Sequence, residues 1–432
     1  MRTDHSIEFQ SIETIEQFNN QLLREHVQYC YEHSPYYRRL FEKSGLKPEH
    51  IKAKDDLHLL PLTLKEHLEE YAEDFLCVPE QDIVDICQTS GTTGKPLIMF
   101  QTASDLERVG YNEAISLRAA GVTENDRTMI ACALGRCFMA GLAYFEGVRR
   151  IGAAAVRTGS GNPAILIQSA LLYRPSVIIC VPSQALLMAE AIQQSGQDPA
   201  QLGVRLLICI GEPIRKVDLE HSTLGEKLRK IWNCDVVGTY AGTEIATSFT
   251  ECSYGRGGHF HPELIAVEIV DENGKPVPPG QPGEVIATPL QVTGMPLLRY
   301  CTGDIGAYYT DPCPCGRNTY RLGPIIGRKQ QKMKIRGTMV YPGAIFLVLQ
   351  DIPEVKNYYL EVYGEYELSE RVRVVVGIED AHCLSADSIA EKIRAYIRVK
   401  PEVVVETAAN VAARTIQEGK RKETTFFDYR NN

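Results

Sequence analysis

"SVIICVPSQALLMAEAIQQSGQDPAQLGVRLLICIGEP", residues 176–213, contains two short β-branched runs separated by a segment with helical periodicity. Similar apolar runs occur at TMIACAL (128–134), AAAVRTG (153–159) and DVVGTY (235–240), and ASDLERVGYNEAISLRAAG (103–121) repeats the helical period. Strands that alternate with helices of this length are typical of a mostly parallel sheet with helices on both faces. We therefore predict an α/β fold here, within a chain that is α+β overall.

Two polar segments come directly after predicted strands. TSGTTGKP (89–96) follows DIVDIC (82–87), and YAGTE (240–244) begins at the last residue of DVVGTY. Ligands of open α/β sheets bind beyond the carboxyl ends of the strands, so we place both segments at that edge.

TSGTTGKP differs from the phosphate loop of nucleotide hydrolases. Only two residues separate Gly91 from Gly94, and Pro96 stands where a hydroxyl would follow Lys95. Its hydroxyls and backbone N–H groups can still surround a mobile polyphosphate, to which Lys95 adds a point charge. The donors are Ser90, Gly91, Thr92, Thr93 and Gly94. The alternative is a solvated Gly/Thr turn.

The chemistry of the chain changes after residue 260. IAVEIVDENGKPVPPGQPGEVIATPL (265–290) alternates apolar and polar residues around a Pro/Gly turn, which is typical of antiparallel hairpins. The basic segment GRKQQKMKIRG (327–337) then precedes about 100 residues with β and α patterns of their own, RVRVVVGI and SADSIAEKIRAYIRV. At 432 residues two domains are the default. We predict domains at 1–328 and 329–432.

Charge and composition narrow the class of protein. A net charge of −9 without long basic runs argues against a general nucleic-acid binder. The N-terminus lacks the apolar core of a signal peptide, and no segment reaches the roughly 18 apolar residues of a membrane span. We therefore expect a cytoplasmic protein that acts on small molecules. Most of its thirteen cysteines sit singly in apolar runs, as core thiols do.

Four residues have spacing that suits a metal. Cys252 precedes His259 by seven positions, and the CPC segment adds Cys313 and Cys315. Three thiolates and one imidazole form a closed tetrahedral set for structural Zn²⁺. Two alternatives stay open: His261 in place of His259, and a group of reduced thiols without metal.

Further motifs follow in order along the chain: GEP (211–213), YAGTE (240–244), RYCTGD (299–304), GRKQQKMKIRG, and the terminal EGKRKETTFFDYR. With TSGTTGKP and the N-terminal YCYEHSPYYRRLFEKSGLKPEH, they make the chain resemble the adenylate-forming superfamily over nearly its whole length. The phenylacetate–CoA ligase type is most similar. The resemblance implies a large N-terminal adenylation domain with a β-rich subdomain and a small, mobile C-terminal lid. It also implies that a carboxylic acid attacks the α phosphate of ATP, and that coenzyme A then takes the acyl group.

The resemblance assigns roles to matching residues. The loop Ser90–Lys95 would close over the β and γ phosphates, and Glu244 would ligate Mg²⁺. Asp304 would accept both ribose hydroxyls, Arg328 would assist at the ribose or phosphate, and Lys420, or its neighbour Lys422, would stabilise charge at the α phosphate. Thr92, Glu244 and Lys420 are thus the predicted catalytic residues. Adenine and the rest of the nucleotide would lie along Gly211, Glu212, Pro213, Tyr240, Ala241, Gly242 and Thr243. A solvated turn or strand end is the alternative for each charged residue.

The second half-reaction is expected to use another pose of the small domain. The resemblance places Lys334, Arg336 and Gly337 near the nucleotide in that pose and the hinge in GRKQQ. This chain departs from its relatives there, because Gln330 and Gln331 stand where acidic residues are usual. Zinc-bearing relatives have a set that matches Cys252, His259, Cys313 and Cys315, and short relatives are often homodimers.

The acyl pocket is expected in the stretch ALGRCFMAGLAYFEG (133–147). Phe138 matches an aryl-pocket aromatic of the phenylacetate ligases, and Gly141, Tyr240 and Ala241 are the other predicted substrate residues. An expected tyrosine is missing near Ala133, and Arg136 adds a charge near the mouth or is a surface residue. An aromatic carboxylic acid is the expected substrate. Two alternatives to a CoA ligase remain: an adenylation enzyme with another acceptor, and a nucleotide-binding protein without catalysis.

Overall fold

The computed structural model describes residues 1–89, 96–335, 338–364, 370–379, 384–416 and 423–430, without the side chain of Met339. The chain forms two compact units. The first contains Met1–His221, Gly225–Thr302 and Gly306–Ile325, and the second contains Ser222–Leu224, Gly303–Ile305 and Ile326–Asn432. The functional domain boundary at residues 328 and 329 stays a prediction. No helix in the described ranges is long and apolar enough to cross a membrane.

The helices are α1 (Ile12–His33), α2 (Pro35–Lys43), α3 (Lys65–Glu70), α4 (Ala103–Ala119), α5 (Met139–Ile151), α6 (Pro163–Tyr173), α7 (Pro182–Gln194), α8 (Thr223–Trp232), α9 (Pro342–Gln350), α10 (Ala386–Ile397) and α11 (Ala408–Thr415). The strands of the first unit begin with β1 (Ile83–Gln88), β2 (Ile98–Thr102), β3 (Arg127–Ile130), β4 (Ala154–Arg157), β5 (Val177–Cys180), β6 (Leu206–Ile210), β7 (Asp235–Gly242) and β8 (Thr247–Thr250). They continue with β9 (Gly258–His259), β10 (Ile265–Val270), β11 (Gly283–Pro289), β12 (Tyr300–Gly306), β13 (Tyr308–Tyr309) and β14 (Arg321–Leu322). The later strands are β15 (Gly327–Arg328), β16 (Met333–Ile335), β17 (Thr338–Val340), β18 (Val355–Tyr363), β19 (Arg371–Ile378), β20 (Glu402–Thr407) and β21 (Phe426–Tyr429).

A six-stranded sheet organises the first unit, in the order β4-β3-β5-β6-β7-β8. All pairs within it are parallel except β7 with β8. β3 to β7 coincide with the five apolar runs of the sequence, and α4 and α7 with its two helical patterns, so the prediction of an α/β sheet is confirmed.

Both faces of this sheet are covered. Val177 and Ile179 of β5 pack with residues of α4 and α5, such as Leu117 and Val148. Ile178, on the opposite face, is just as deeply buried. A continuous apolar run therefore suits β5, because neither side of a central parallel strand meets water.

The strand before TSGTTGKP lies outside this sheet. Among the described strands, β1 pairs with β2 alone, and the pair is antiparallel. We predicted that this loop lies at the carboxyl edge of the parallel sheet because it follows a strand. That reason is wrong, since the strand is not part of the parallel sheet. The link between the two strands is too short for the crossover that a parallel pair needs.

The predicted hairpin after residue 260 is present. β10 and β11 pair antiparallel, with Ile265 opposite Pro289 and Val270 opposite Glu284. β12 follows in the same sheet, while β13, β14 and β9 form a separate small sheet. That small sheet holds His259 opposite Arg321.

The second unit is an α+β structure. Its sheet has the order β20-β19-β18-β21, with β18 and β19 antiparallel and the two outer pairs parallel. Apolar residues of α9 and α10, including Ile345 and Ile389, pack with Val374 and Val376 of β19 in one core.

Candidate active site

The candidate site lies at one edge of the six-stranded sheet. β3, β5, β6 and β7 are parallel neighbours, so their carboxyl ends meet there. The chain at or just beyond these ends carries Phe138, Ser183, Gly211 to Pro213 and Ala241 to Glu244, respectively. Two of the predicted motifs and the predicted acyl segment are therefore brought together, as expected for a ligand site at such an edge.

The GEP segment turns sharply after β6. Gly211 has φ +78°, which a residue with a side chain rarely adopts. The Glu212 carboxylate accepts hydrogen bonds from the backbone N–H and the hydroxyl of Ser183, at 3.0 and 2.8 Å. Because Ser183 stands in the first turn of α7, this carboxylate ties the end of β6 to the start of α7.

YAGTE begins in a strand and ends in a turn. Tyr240 to Gly242 belong to β7, and Glu244 lies in the turn that leads to β8. The Tyr240 ring stacks on Phe249 with centroids 5.9 Å apart. The half-buried Glu244 accepts a long hydrogen bond of 3.3 Å from the Tyr300 hydroxyl. An acidic oxygen donor is thus held beside the carboxyl end of β7.

Asp304 and Arg328 are direct partners in the second unit. They are paired residues of β12 and β15, and Arg328 Nε lies 3.2 Å from Asp304 Oδ1. Asp304 is far more buried than Arg328, with side-chain exposures of 13% and 49%. A carboxylate at this position has two oxygens that can accept hydroxyls.

The described ranges hold only the flanks of TSGTTGKP. The Thr89 backbone N–H donates to Leu97 O, and the Leu97 N–H donates to Thr89 Oγ1, both at 3.0 Å. Gln88 N–H donates to Cys137 O at 2.7 Å, which joins the end of β1 to the residue before Phe138. The loop residues Ser90, Gly91, Thr92, Thr93, Gly94 and Lys95 lie outside the described residues.

Several predicted residues of the second unit also fall outside the described ranges: Arg336, Gly337, Lys420 and its alternative Lys422. Lys334 is described and lies in β16, where its backbone N–H donates to Glu370 Oε2 at 2.8 Å. Arg430 donates to the backbone oxygens of Gln330 and Lys332 at 2.7 and 2.8 Å. The segment predicted as a hinge is therefore bound by its backbone within the second unit.

A cavity of about 80 Å³ opens beside the end of β7. Phe138 and Ala241, two of the predicted substrate residues, line it, and Gly141 and Tyr240 are not among its described lining residues. Gly141 instead allows a close approach, since a Cβ there would lie 2.3 Å from Ala133 O. Arg136 is exposed, in a left-handed backbone conformation with φ +58°.

Sequence reasoning missed a polar residue in the wall of this cavity. Glu113 of α4 is 4% exposed, and its Oε2 has no hydrogen-bond partner among the described residues. Burial raises its pKa to about 7, against the opposing effects of a hydrogen bond with Ser248 and the charge of His261. A signal did exist: Glu113 lies four residues from both Val109 and Leu117, so it interrupts the apolar face of α4.

The four predicted metal ligands cluster in the first unit. One ligand atom each from Cys252, His259, Cys313 and Cys315 lies within 4.8 Å of the others. Cys252 Sγ is 3.6 Å from Cys313 Sγ, and Cys315 Sγ is 3.3 Å from His259 Nε2. Ligands around a tetrahedral zinc stand about 3.5–3.8 Å apart, so the donor set fits this ion.

The neighbours of the two histidines favour His259 as the ligand. His259 Nδ1 is 2.9 Å from Thr319 Oγ1, which leaves Nε2 toward the thiols. Both ring nitrogens of His261 are engaged elsewhere, Nδ1 with Glu8 at 2.5 Å and Nε2 with Ser116 at 2.9 Å. Arg317 also binds Glu8, at 2.5 Å, so the N-terminal segment packs behind the cluster.

Comparison with known proteins identifies the class. A family model described as AMP-binding enzyme matches residues 19–294, and the chain belongs to this family. It is 34% identical over 358 residues to the phenylacetate–coenzyme A ligase of Thermus thermophilus, which covers 80% of this chain and 78% of that protein. It is 27% identical over 442 residues to the phenylacetate–coenzyme A ligase of Pseudomonas putida, covering 98% and 96%. Within the family, the chain thus groups with the AMP-forming acid–CoA ligases of the phenylacetate type.

A solved structure supports the fold. The crystal structure of a 2-hydroxyisobutyryl-CoA ligase, in the postadenylation state with an acyl-adenylate, superposes with a TM-score of 0.86. The match covers 98% of this chain and 92% of the 2-hydroxyisobutyryl-CoA ligase chain, at 23% sequence identity. Likeness at this identity establishes the fold, and the prediction of an adenylate-forming fold is confirmed.

Proposed function

We propose that this chain is an ATP-dependent acid–CoA ligase that joins a small carboxylic acid, best an aryl acid, to coenzyme A. The observation that carries the proposal is the meeting of GEP, YAGTE and the Phe138 segment at one sheet edge beside a cavity. The family supports the same chemistry, and four curated relatives are named as phenylacetate–coenzyme A ligases. Coenzyme A is thereby favoured over another acceptor.

The first half-reaction is an in-line substitution at phosphorus. A carboxylate oxygen of the acid bonds to the α phosphorus of ATP, the bond to the bridging oxygen breaks, and pyrophosphate leaves with that electron pair. The chain has to hold two anions together, so it needs donors and cations around the phosphates. We assign this task to Ser90–Lys95 and Lys420.

The nucleotide is proposed to lie along the carboxyl ends of β6 and β7. Gly211, Glu212 and Pro213 would flank adenine with Tyr240 and the backbone of Ala241 to Thr243. Asp304, beside Arg328, would accept the ribose hydroxyls. Glu244 would hold Mg²⁺, which prefers carboxylate oxygens and neutralises phosphate charge.

In the second half-reaction, the coenzyme A thiolate bonds to the carbonyl carbon of the acyl-adenylate, and AMP leaves with its oxygen. We propose that Lys334, Arg336 and Gly337 serve this step. Gln330 and Gln331 carry no charge, so a hinge motion at these two positions would depend on backbone freedom rather than on ion pairs of their side chains.

Zinc is proposed as a structural ion. Cys252, His259, Cys313 and Cys315 would hold it and leave no position open for substrate. When bound, it would cross-link the small β9, β13 and β14 sheet to the loops beside it.

Pyrophosphate release tests the function. We expect the protein with ATP and Mg²⁺ to release pyrophosphate only when a suitable carboxylic acid is present, and to form thioester and AMP once coenzyme A is added. Glu244→Gln should lower this rate about 100-fold or more, because a neutral amide is a poor magnesium ligand. Pyrophosphate without thioester would point to another acceptor. No acid-dependent pyrophosphate across a broad panel of acids would refute the proposal.

A further inference from the structure

A carboxylate with one unpartnered oxygen stands in the wall of the acyl cavity. Asn112 and Glu113 of α4, Met139 and Tyr144 of α5, and Ala241 and Thr243 at the end of β7 contribute to that wall. Glu113 is the only charged residue among the described lining residues, and its Oε2 is buried without a hydrogen-bond partner among them.

Two other polar residues of this wall, Asn112 and Tyr144, are already engaged. Asn112 Oδ1 accepts from Ser248 N at 2.7 Å, and its Nδ2 donates to Ser248 O at 3.3 Å. Tyr144 has a hydrogen bond with Thr239. Among the described lining residues, Glu113 Oε2 is the buried side-chain acceptor without a partner, and a buried acceptor left unsatisfied costs about 1–3 kcal/mol.

The position of Glu113 relates it to the acyl group. Under the proposed function, the reacting carboxylate meets the nucleotide at the β7 side of the cavity, where Ala241 and Thr243 lie. The remainder of the acid then extends toward α4 and α5, which carry Glu113 and Tyr144. A carboxylate at that end repels a second acidic group of the substrate and can accept a hydrogen bond from a donor group.

We propose that Glu113 determines substrate choice by accepting a hydrogen bond from a hydroxyl or amino group on the acyl part of the acid. This rests on the proposed function and narrows its substrate class to hydroxy- or amino-substituted carboxylic acids. The cavity, about 80 Å³, is roughly half the size of one that encloses benzene, ~150 Å³. A ring would therefore fill it and extend into its open mouth.

Matched pairs of acids test the proposal. Each pair contains an acid and its hydroxyl- or amino-substituted analogue, such as phenylacetate with its ring-hydroxylated and ring-amino forms, benzoate with the same forms, and butyrate with hydroxybutyrates. We expect at least one substituted acid to exceed its parent about 10- to 100-fold in kcat/KM for pyrophosphate release, since a site built for a donor rejects an analogue that lacks it.

Variants connect that preference to Glu113. At pH 8, above the raised pKa of Glu113 of about 7, Glu113→Gln should reduce the ratio of the two kcat/KM values about 10-fold, because a charge-assisted acceptor becomes neutral. Glu113→Met should bring the ratio to 1 or below. The ratio is independent of how much of each preparation is folded, because both acids are measured on the same sample.

Glu263→Gln is the matched control. Glu263 is also buried, also has an unpartnered Oε2, and does not line the cavity, so its substitution should leave the ratio unchanged. If every parent acid has a kcat/KM equal to those of its substituted analogues, the inference is overturned and the ligase function stands. An equal change of the ratio in both variants would overturn it too. Failure of every acid would remove both proposals.

Discussion

At the scale of single residues, buried carboxylates are the unusual feature of the first unit. Glu113 and Glu263 are both buried with no ion pair to a described residue, and burial raises the pKa of each to about 7. Ionised carboxylates are costly in such places, so structure alone gives little reason to keep them. The position of Glu113 in the cavity wall supplies a functional reason to keep its carboxylate. Glu263 has a structural partner instead, because the Tyr111 hydroxyl donates to its Oε1 at 2.8 Å.

The raised pKa of Glu113 predicts how its substitution changes stability with pH. The folded state holds this proton up to about pH 7, whereas the unfolded chain releases it near the ordinary value of 4.5. The stability that the group contributes is therefore complete below pH 4.5 and is lost as pH rises through 7. The free energy of unfolding of Glu113→Gln should exceed that of the parent protein by about 1–3 kcal/mol at pH 8, and by less at pH 5.5. Chemical denaturation at both values measures it.

The exposed Glu49→Gln is the control for the loss of one negative charge, and we expect no pH-dependent difference from it. A constant difference between Glu113→Gln and the parent protein at both pH values would show that Glu113 is ionised throughout.

At the scale of elements, close approaches decide where the helices lie. α5 packs on the chain after β3 at Gly141 and on α4 at Gly147, where a Cβ would lie 2.4 Å from the Glu113 Cβ. Both glycines are helical, so their role is space rather than backbone freedom. These contacts set the two helical walls of the acyl cavity.

Gly141→Ala should therefore disturb the cavity. The added methyl has to displace backbone at Ala133, and overpacking of this kind costs about 1–3 kcal/mol. We expect reduced stability by denaturation and a raised KM for the acid, with the KM for ATP less affected. Gly161→Ala is the matched control, because nothing lies within 4 Å of its added methyl. Equal KM values for the acid in Gly141→Ala and the parent protein would contradict this account of the wall.

At the scale of the whole molecule, the proposed zinc predicts a dependence of folding on metal. The cluster joins Cys252 to residues about 60 positions later in the chain, and the loss of a structural metal site removes several kcal/mol. We expect about one equivalent of zinc in purified protein by elemental analysis. Cys252→Ser should lack the zinc and melt at a lower temperature, while Cys30→Ser, at another buried thiol, should retain the metal. Well-folded protein without zinc would refute the site.

The two half-reactions give a further prediction for the entire chain. If Lys420 stabilises charge only at the α phosphate, Lys420→Ala should slow adenylation about 100-fold or more. Thioester formation from preformed acyl-adenylate should change much less. Lys422→Ala, at the alternative position in the same basic segment, should leave adenylation nearly unchanged if Lys420 is the residue that acts, and should show the selective loss in its place if Lys422 acts. Single-turnover measurements of each step on both variants show which lysine acts. Equal losses in both steps would contradict two separate poses of the lid.

Much of this protein was predictable from local patterns. The strand and helix runs between residues 103 and 242, the hairpin after residue 260 and the four metal-ligand candidates are visible in sequence, because periodicity and ligand spacing are local properties. The resemblance also identified the enzyme class, and the comparisons confirm it. Roles of individual residues, from Ser90 to Lys420, stay predictions.

Other features depend on which distant segments meet, and only the tertiary structure decided them. It paired β1 with β2 instead of with the parallel sheet, it engaged His261 with Glu8 and Ser116 so that His259 faces the thiols, and it buried Glu113 in the cavity wall. The physical reason is common to all three. Strand pairing, hydrogen-bond partners and the cost of burying a charge are set by neighbours far away in the chain. A local pattern, such as the break that Glu113 makes in the apolar face of α4, does not identify those neighbours.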